Sequence, residues 1–312
     1  IAFASKGHHP NNLQGDFETM DLIPAGPHYT RTSHFHPAGL PSITLCPALA
    51  TLLRELIPLK FVLMAAMLTV LAEPAQAVIT LNAGTKLSHD NNVNGSPDTP
   101  TKANQRGDSY LTLNASAVYY TPLNATKTRY FISQIGATSS VYQRFDNLDS
   151  SMLVASAGLW QQLSPTWSGQ ITGRGFTRDT QQTGRDANGA GGTLELKKQL
   201  RKTLWVKGVV DYENNNAHLD TFSYTGHTYG VSLGYLPLKD TFINLGYSHS
   251  NRDFKSTTPF KSRTKMLFAE VSQRLAKNWY LNGGYAYADN DSNYSGTAYT
   301  NHIVSVGVSF SY

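Results

Sequence analysis

Residues 78–312 predict an all-β fold, an antiparallel up-and-down transmembrane β-barrel of about 12 strands. Three observations carry this expectation. Apolar residues alternate with small polar ones along segments longer than a soluble sandwich needs, short turns alternate with long polar connections, and an aromatic residue follows nearly every short turn.

The alternation is plainest at the end of the chain. Val304, Val306, Val308, Phe310 and Tyr312 share one face, and Ser305, Gly307, Ser309 and Ser311 the other. Successive side chains on a strand point to opposite faces, so one face meets an apolar medium and the other a polar one. The same parity sets Leu111, Leu113, Ala115, Ala117 and Tyr119 against Thr112, Asn114 and Ser116. It also sets Val206, Val210 and Tyr212 against Lys207, Asp211 and Glu213, and Ile243, Leu245 and Tyr247 against Asn244, Gly246 and Ser248. Segments 128–143 and 152–164 are ambiguous in parity.

The turns follow from a repeat. "QLSPTWSGQ", "QLRKTLWVKG", "YLPLKDTFINLG" and "RLAKNWYLNGG" each end a strand in Leu, turn through Pro, Lys, Asp or Asn, and restart with Trp167, Trp205, Phe242 or Trp279 at a spacing of about 37 residues. Long connections rich in Asn, Asp, Gly and Ser lie between these turns. The expected strands are 78–90, 109–122, 128–143, 152–164, 167–179, 192–201, 204–214, 227–237, 241–252, 263–276, 279–289 and 299–312. Hydrocarbon offers no hydrogen-bond partners, so such a sheet crosses a membrane only by closing on itself. Trp167, Phe242, Trp279 and Tyr312 are expected at the membrane interface, where a ring is half dry and half wet. Trp205 falls on the polar parity, which points to a position just outside the membrane or an extra residue in its turn. A soluble β-sandwich is the alternative architecture.

Composition narrows the function. Of 312 residues only 15% are charged, and the net charge of +5 is spread thinly without a basic run, so nucleic-acid binding lacks its electrostatic footprint. Cys46 is the single cysteine, which excludes an intrachain disulfide or a cysteine metal cluster. "LKFVLMAAMLTVLAEPAQA" carries Lys60, an apolar run from Phe61 to Leu71 and the triplet Ala75-Gln76-Ala77, the layout of a signal peptide and too short to span a bilayer. The expected organisation is thus an upstream unstructured segment at 1–55, a signal peptide at 56–77 and the barrel at 78–312. The histidine pairs at His8-His9 and His34-x-His36 read as scattered residues of that upstream segment, not as metal ligands.

With its leader, its alternating strands and a C-terminal strand ending in an aromatic residue, the chain resembles bacterial outer-membrane β-barrel proteins. Its final hairpin, "RLAKNWYLNGGYAYADNDSNYSGTAYTNHIVSVGVSF", is similar to endings of uncharacterised β-barrel porins and of the barrels of surface-lipoprotein assembly modifiers; the helical-repeat domain of the latter has no counterpart here. The resemblance implies an outer-membrane location, surrounding lipid and lipopolysaccharide, and recognition of the C-terminal strand by the barrel assembly machinery.

Parity places Lys86, Arg174, Arg178, Glu195, Lys197, Lys207, Asp211, Glu213, Glu270 and Arg274 on the pore-lining face. About 12 strands lie between a barrel filled by side chains and one with an open channel. The expected function is a porin-like channel for passive diffusion of small polar solutes, with opposite charges across the bore and a slight anion preference. The alternative is a barrel without an open pore, in which the charges pair and stiffen the wall. A lipid hydrolase is a third reading. "YSHSNRDF" holds His249, Ser250 and Asn251, which resemble the His-x-Ser-Asn motif of outer-membrane phospholipase A and lipid A deacylases without its spacer, but adjacent strand residues point to opposite faces. No cofactor or metal is expected. "SHDNNVNGSPD" and "DNDSN" offer oxygen ligands for Ca²⁺ and equally the residues that turns favour. "GAGG" at 189–192 reads as a loop entering a strand, not a phosphate cradle.

Overall fold

The structure, a computed structural model, describes residues 77–97, 102–256, 258–294 and 296–312. The expected upstream segment and, apart from Ala77, the expected signal peptide lie outside the described residues. Twelve strands follow in order: β1 Val78–Asp90, β2 Asp108–Pro122, β3 Arg129–Tyr142, β4 Ser150–Ser164, β5 Trp167–Thr180, β6 Ala187–Arg201, β7 Leu204–Ala217, β8 Tyr224–Leu238, β9 Thr241–Phe254, β10 Phe260–Ala276, β11 Trp279–Ser292 and β12 Tyr299–Ser311. Each pairs antiparallel with its sequence neighbours, and β1 pairs with β12, so the sheet closes into a barrel without a free edge.

Side-chain parity sorts inside from outside as the sequence predicts. Leu87, Leu159, Ile171, Leu194, Val210, Val231, Leu245, Leu267, Val304 and Val306 all stand exposed on the outer face. A soluble sandwich would bury such rows between sheets, so that alternative fails; this exterior is built to face lipid. The ambiguous pair resolves through register. Thr112↔Ser140 and Asn114↔Thr138 put the even residues of β3 inside, and Gln134↔Ser156 does the same for β4.

Several strands run further toward the long-connection end than expected. Most of all β6 starts at Ala187, so the Gly-Ala-Gly-Gly stretch lies within a strand. Those glycines supply room. A Cβ on Gly189 would stand 2.1 Å from the Phe176 ring, and one on Gly191 2.9 Å from the Arg174 guanidinium, each being the residue directly opposite. Trp205 lies likewise over Gly234 and Phe268 over Gly246. Large luminal side chains therefore lie flat on the wall, each across a partner that has no side chain of its own.

The four two-residue turns share one defect. Register shifts occur at Gln162/Ser164, Gln199/Arg201, Tyr235/Leu238 and Arg274/Ala276, so each short turn carries a bulge. The first paired residue after the turn is Trp167, Leu204, Thr241 or Trp279. The aromatic of the repeat is thus first in β5 and β11 but second in β7 and β9. One residue reverses the face.

Closure places one glycine under strict constraint. A Cβ on Gly307 of β12 would meet the Thr85 carbonyl oxygen of β1 at 2.5 Å and Lys86 Cα at 3.1 Å, both backbone atoms that cannot turn aside. Gly307→Val is expected to open the β1–β12 seam and abolish the compact band that a closed barrel gives on unheated gels. Gly283→Val faces outward, meets only the Val271 side chain at 3.3 Å, and should keep that band.

Candidate functional site in the lumen

Directly paired residues form rungs around the inner wall. One rung joins Phe176, Gly189, Asn215, Tyr224, Phe254 and Phe260 across β5 to β10; the next joins Arg174, Gly191, Glu213, Gly226, Arg252 and Ser262. An aromatic tier therefore sits over a charged one, toward the long-connection end.

Arg174 organises the charged tier. Its Nη2 donates to Asp211 Oδ1 at 2.9 Å and to Glu213 Oε2 at 2.8 Å, while Nη1 reaches Asp211 Oδ2 and Thr193 Oγ1. The Thr193 hydroxyl donates to Asp211 at 2.6 Å, and the Tyr224 hydroxyl donates to Glu213 at 2.6 Å. With 11% of the Arg174 side chain exposed, both carboxylates are satisfied from within the wall. Lower down, Lys207 lies 3.7 Å from Glu195, Lys197 sits 4.3 Å over the Trp205 ring, and Asn244 Nδ2 donates to Glu270 at 3.0 Å.

All ten residues expected to line the pore lie on the luminal parity. Arg174 and Lys207 find carboxylates on their own wall. Arg274 sits at the short-turn rim, 3.4 Å from Asp240 in the β8–β9 turn. Asp90, Asp108 and Arg252 share the luminal face and were not foreseen. Asp108 lies one residue before the expected start of its strand, whereas Asp90 and Arg252 close the expected strands 78–90 and 241–252 on the inward parity.

Phe242 corrects the expected interface set. Being second after its bulged turn, it faces the lumen and stacks on Trp205 at 5.5 Å with planes 6° apart. Trp205 is itself on the luminal face, for the same reason. Trp167 and Trp279 face outward, the first beneath Lys198 Nζ at 4.9 Å and the second against Phe310 at 5.1 Å. Tyr312, also outward in parity, exchanges backbone hydrogen bonds of 2.9 Å with Leu81.

The long-connection end is crowded. Tyr224, Phe254 and Phe260 form a buried cluster, with Phe254 and Phe260 stacked at 4.4 Å. Asn92, fully buried, donates to Thr300 O at 2.8 Å and Ser96 O at 3.0 Å, and Asp90 accepts from Asn92 N–H and from Asn301. The described Asx oxygens from Asp90 to Asn94 are thus bonded within the connection and to the start of β12. Between β3 and β4, Asp149 accepts the Tyr142 N–H at 2.7 Å, yet burial pushes its carboxyl pKa up, and nearby Asp146 and Asp108 add to that. That connection is therefore firmest below the titration of Asp149 and loses the margin as pH rises through it. Among the described residues, no group of three or more His, Cys, Asp or Glu is placed to hold a metal ion.

His249 and Ser250 do not assemble a catalytic pair. β9 runs without a bulge between them, so Ser250 turns inward and accepts from Thr228 at 3.1 Å while His249 turns outward. A base on the far side of the sheet cannot reach the hydroxyl.

No protein-family model matches the sequence, and no curated protein matches it. Among solved structures, an outer membrane channel from Pseudomonas putida F1 superposes with a TM-score of 0.52 at 12% identity, over 77% of this chain and 97% of that one. The chain has the fold of a bacterial outer-membrane β-barrel. The KdgM porin in complex with disordered oligogalacturonate is similar at a TM-score of 0.44 and 12% identity, over 75% and 99% of the two chains. The NanC porin is similar at 0.44 and 10%, again over 75% and 99%. The chain's own exterior puts this outer-membrane barrel in lipid, and in barrels of this kind the long connections face the cell surface and the short turns the periplasm.

Proposed function

We propose that this barrel is a porin-like channel that lets small polar solutes diffuse across the outer membrane, with a modest preference for anions. The observation that carries the reading is the treatment of bulk inside the barrel. Phe176, Arg174, Trp205 and Phe268 are each laid flat over an opposite glycine, which keeps the widest luminal groups off the axis. Much of the remaining lining is Ser, Thr, Asn, Gly and Gln, the hydroxyls and amides that a hydrated path needs. The purified protein in a planar bilayer is expected to give discrete conductance steps, with a reversal potential in a KCl gradient displaced toward chloride. Absence of steps would sink the channel reading.

A second reading, a barrel without an open pore that serves structure or export, draws on the buried extracellular cluster and the packed β1–β2 connection. The same bilayer measurement separates the two. Surrounding lipopolysaccharide and delivery through the C-terminal strand belong to either reading.

A further inference from the structure

The luminal charges are unequally committed. Asp211 and Glu213 are held by Arg174, Thr193 and Tyr224, Glu195 lies beside Lys207, and Glu270 accepts from Asn244. Asp108 accepts the backbone N–H groups of Ser109, Arg144 and Phe145. Two luminal guanidiniums differ. Arg252 lies with Cζ 4.9 Å over the Tyr224 ring, and Arg178 with Cζ 5.6 Å over the Phe176 ring. Among the described residues neither has a carboxylate within ion-pair distance; Glu213 is within electrostatic reach of Arg252, but its oxygens are taken by Arg174 and Tyr224. Arg178 adds only a 4.0 Å contact to the Met152 sulfur.

Stacking occupies the face of a guanidinium and leaves its N–H edge free. Both side chains are half-buried, one on each side of the aromatic tier, and both lie within electrostatic reach of the Tyr224 hydroxyl. A third guanidinium, Arg185 in the β5–β6 connection, rests 4.9 Å over Phe222 with its Nε and Nη2 buried and unbonded. Donor edges with no internal acceptor, beside a wall whose carboxylates are already answered, are complementary to an anion from solution.

We propose that Arg178 and Arg252 form an anion-binding station at the extracellular end of the lumen, one that takes small dianions bearing carboxylate or phosphate. Arg174 is excluded from it, because both of its terminal nitrogens are bonded to the wall and its Nε is buried. The proposal deepens the channel reading, and its test has one arm that does not depend on conduction.

Succinate and inorganic phosphate are the probes. In detergent, calorimetric titration of the purified protein should show saturable binding of at least one of them, weakened about tenfold in Arg252→Gln or Arg178→Gln, as loss of one charge-assisted contact implies. Lys265→Gln, on the outer face beside Asp289, should bind as the unchanged protein does. In bilayers the same probe should block chloride current with a matching rise in half-blocking concentration. Binding by one probe alone names the headgroup chemistry. Equal binding in all variants, or none in the unchanged protein, overturns the station. Binding that follows the two arginines without any conductance keeps the station and removes the channel.

Discussion

Replacing Arg174 with Met is expected to cost ~1–3 kcal/mol of barrel stability and to swing the reversal potential toward cations. The substitution leaves the carboxylates of Asp211 and Glu213 facing each other's field with only the Thr193 and Tyr224 hydroxyls as donors. Breaking a fully buried pair costs about 3–5 kcal/mol; here Asp211 and Glu213 retain 20% and 19% exposure beside the lumen, so the lower range applies. A melting temperature lower by roughly 5 °C is the readout. The variant that also carries Asp211→Asn and Glu213→Gln should recover both stability and selectivity, because no unpaired charge is left. Unchanged melting and unchanged reversal potential in Arg174→Met would show that the network holds nothing in place.

Gly234→Val should narrow the channel from a position that itself lines little of it. The Trp205 indole occupies the space a Cβ would need, with Cε2 only 2.3 Å away, and Phe242 braces its other side. Valine must lift the indole off the wall. Overpacking of this kind costs about 1–3 kcal/mol, and the displaced ring then projects into the lumen. Single-channel conductance is expected to fall, and Trp205→Ala in the same chain to restore it. Full conductance in Gly234→Val would mean that the indole does not border the path.

Parity made the barrel legible, because a period of two separates lipid from water along every strand without knowledge of any partner. It placed all ten expected residues on the inner face. Asp108 escaped it because β2 starts one residue before the expected 109, whereas Asp90 and Arg252 close their expected strands on the inner parity, in ends rich in Asn and Asp that resemble connections. Phe242 was misplaced for a smaller reason. The bulge after each short turn adds one residue before the count restarts, and "TLW" and "DTF" hold their aromatic one step later than "PTW" and "KNW". Distant pairing was invisible. Nothing in the spacing of Arg174, Asp211 and Glu213 announces that β6 contributes glycine between them, and so lets the guanidinium cross to β7.

The inner face is also lopsided. From β11 through β12 and β1 to β4 its residues are almost all neutral, Lys86, Asp90 and Asp108 excepted, whereas β5 to β10 carry every other luminal charge. In the proposed channel an ion travelling inward therefore feels a sideways pull and hugs one flank, and its itinerary is a ledge, not an axis. Mutational scanning of the quiet flank, at Ser116, Ser156 or Asn282, should alter how much passes but leave unaltered which sign is preferred.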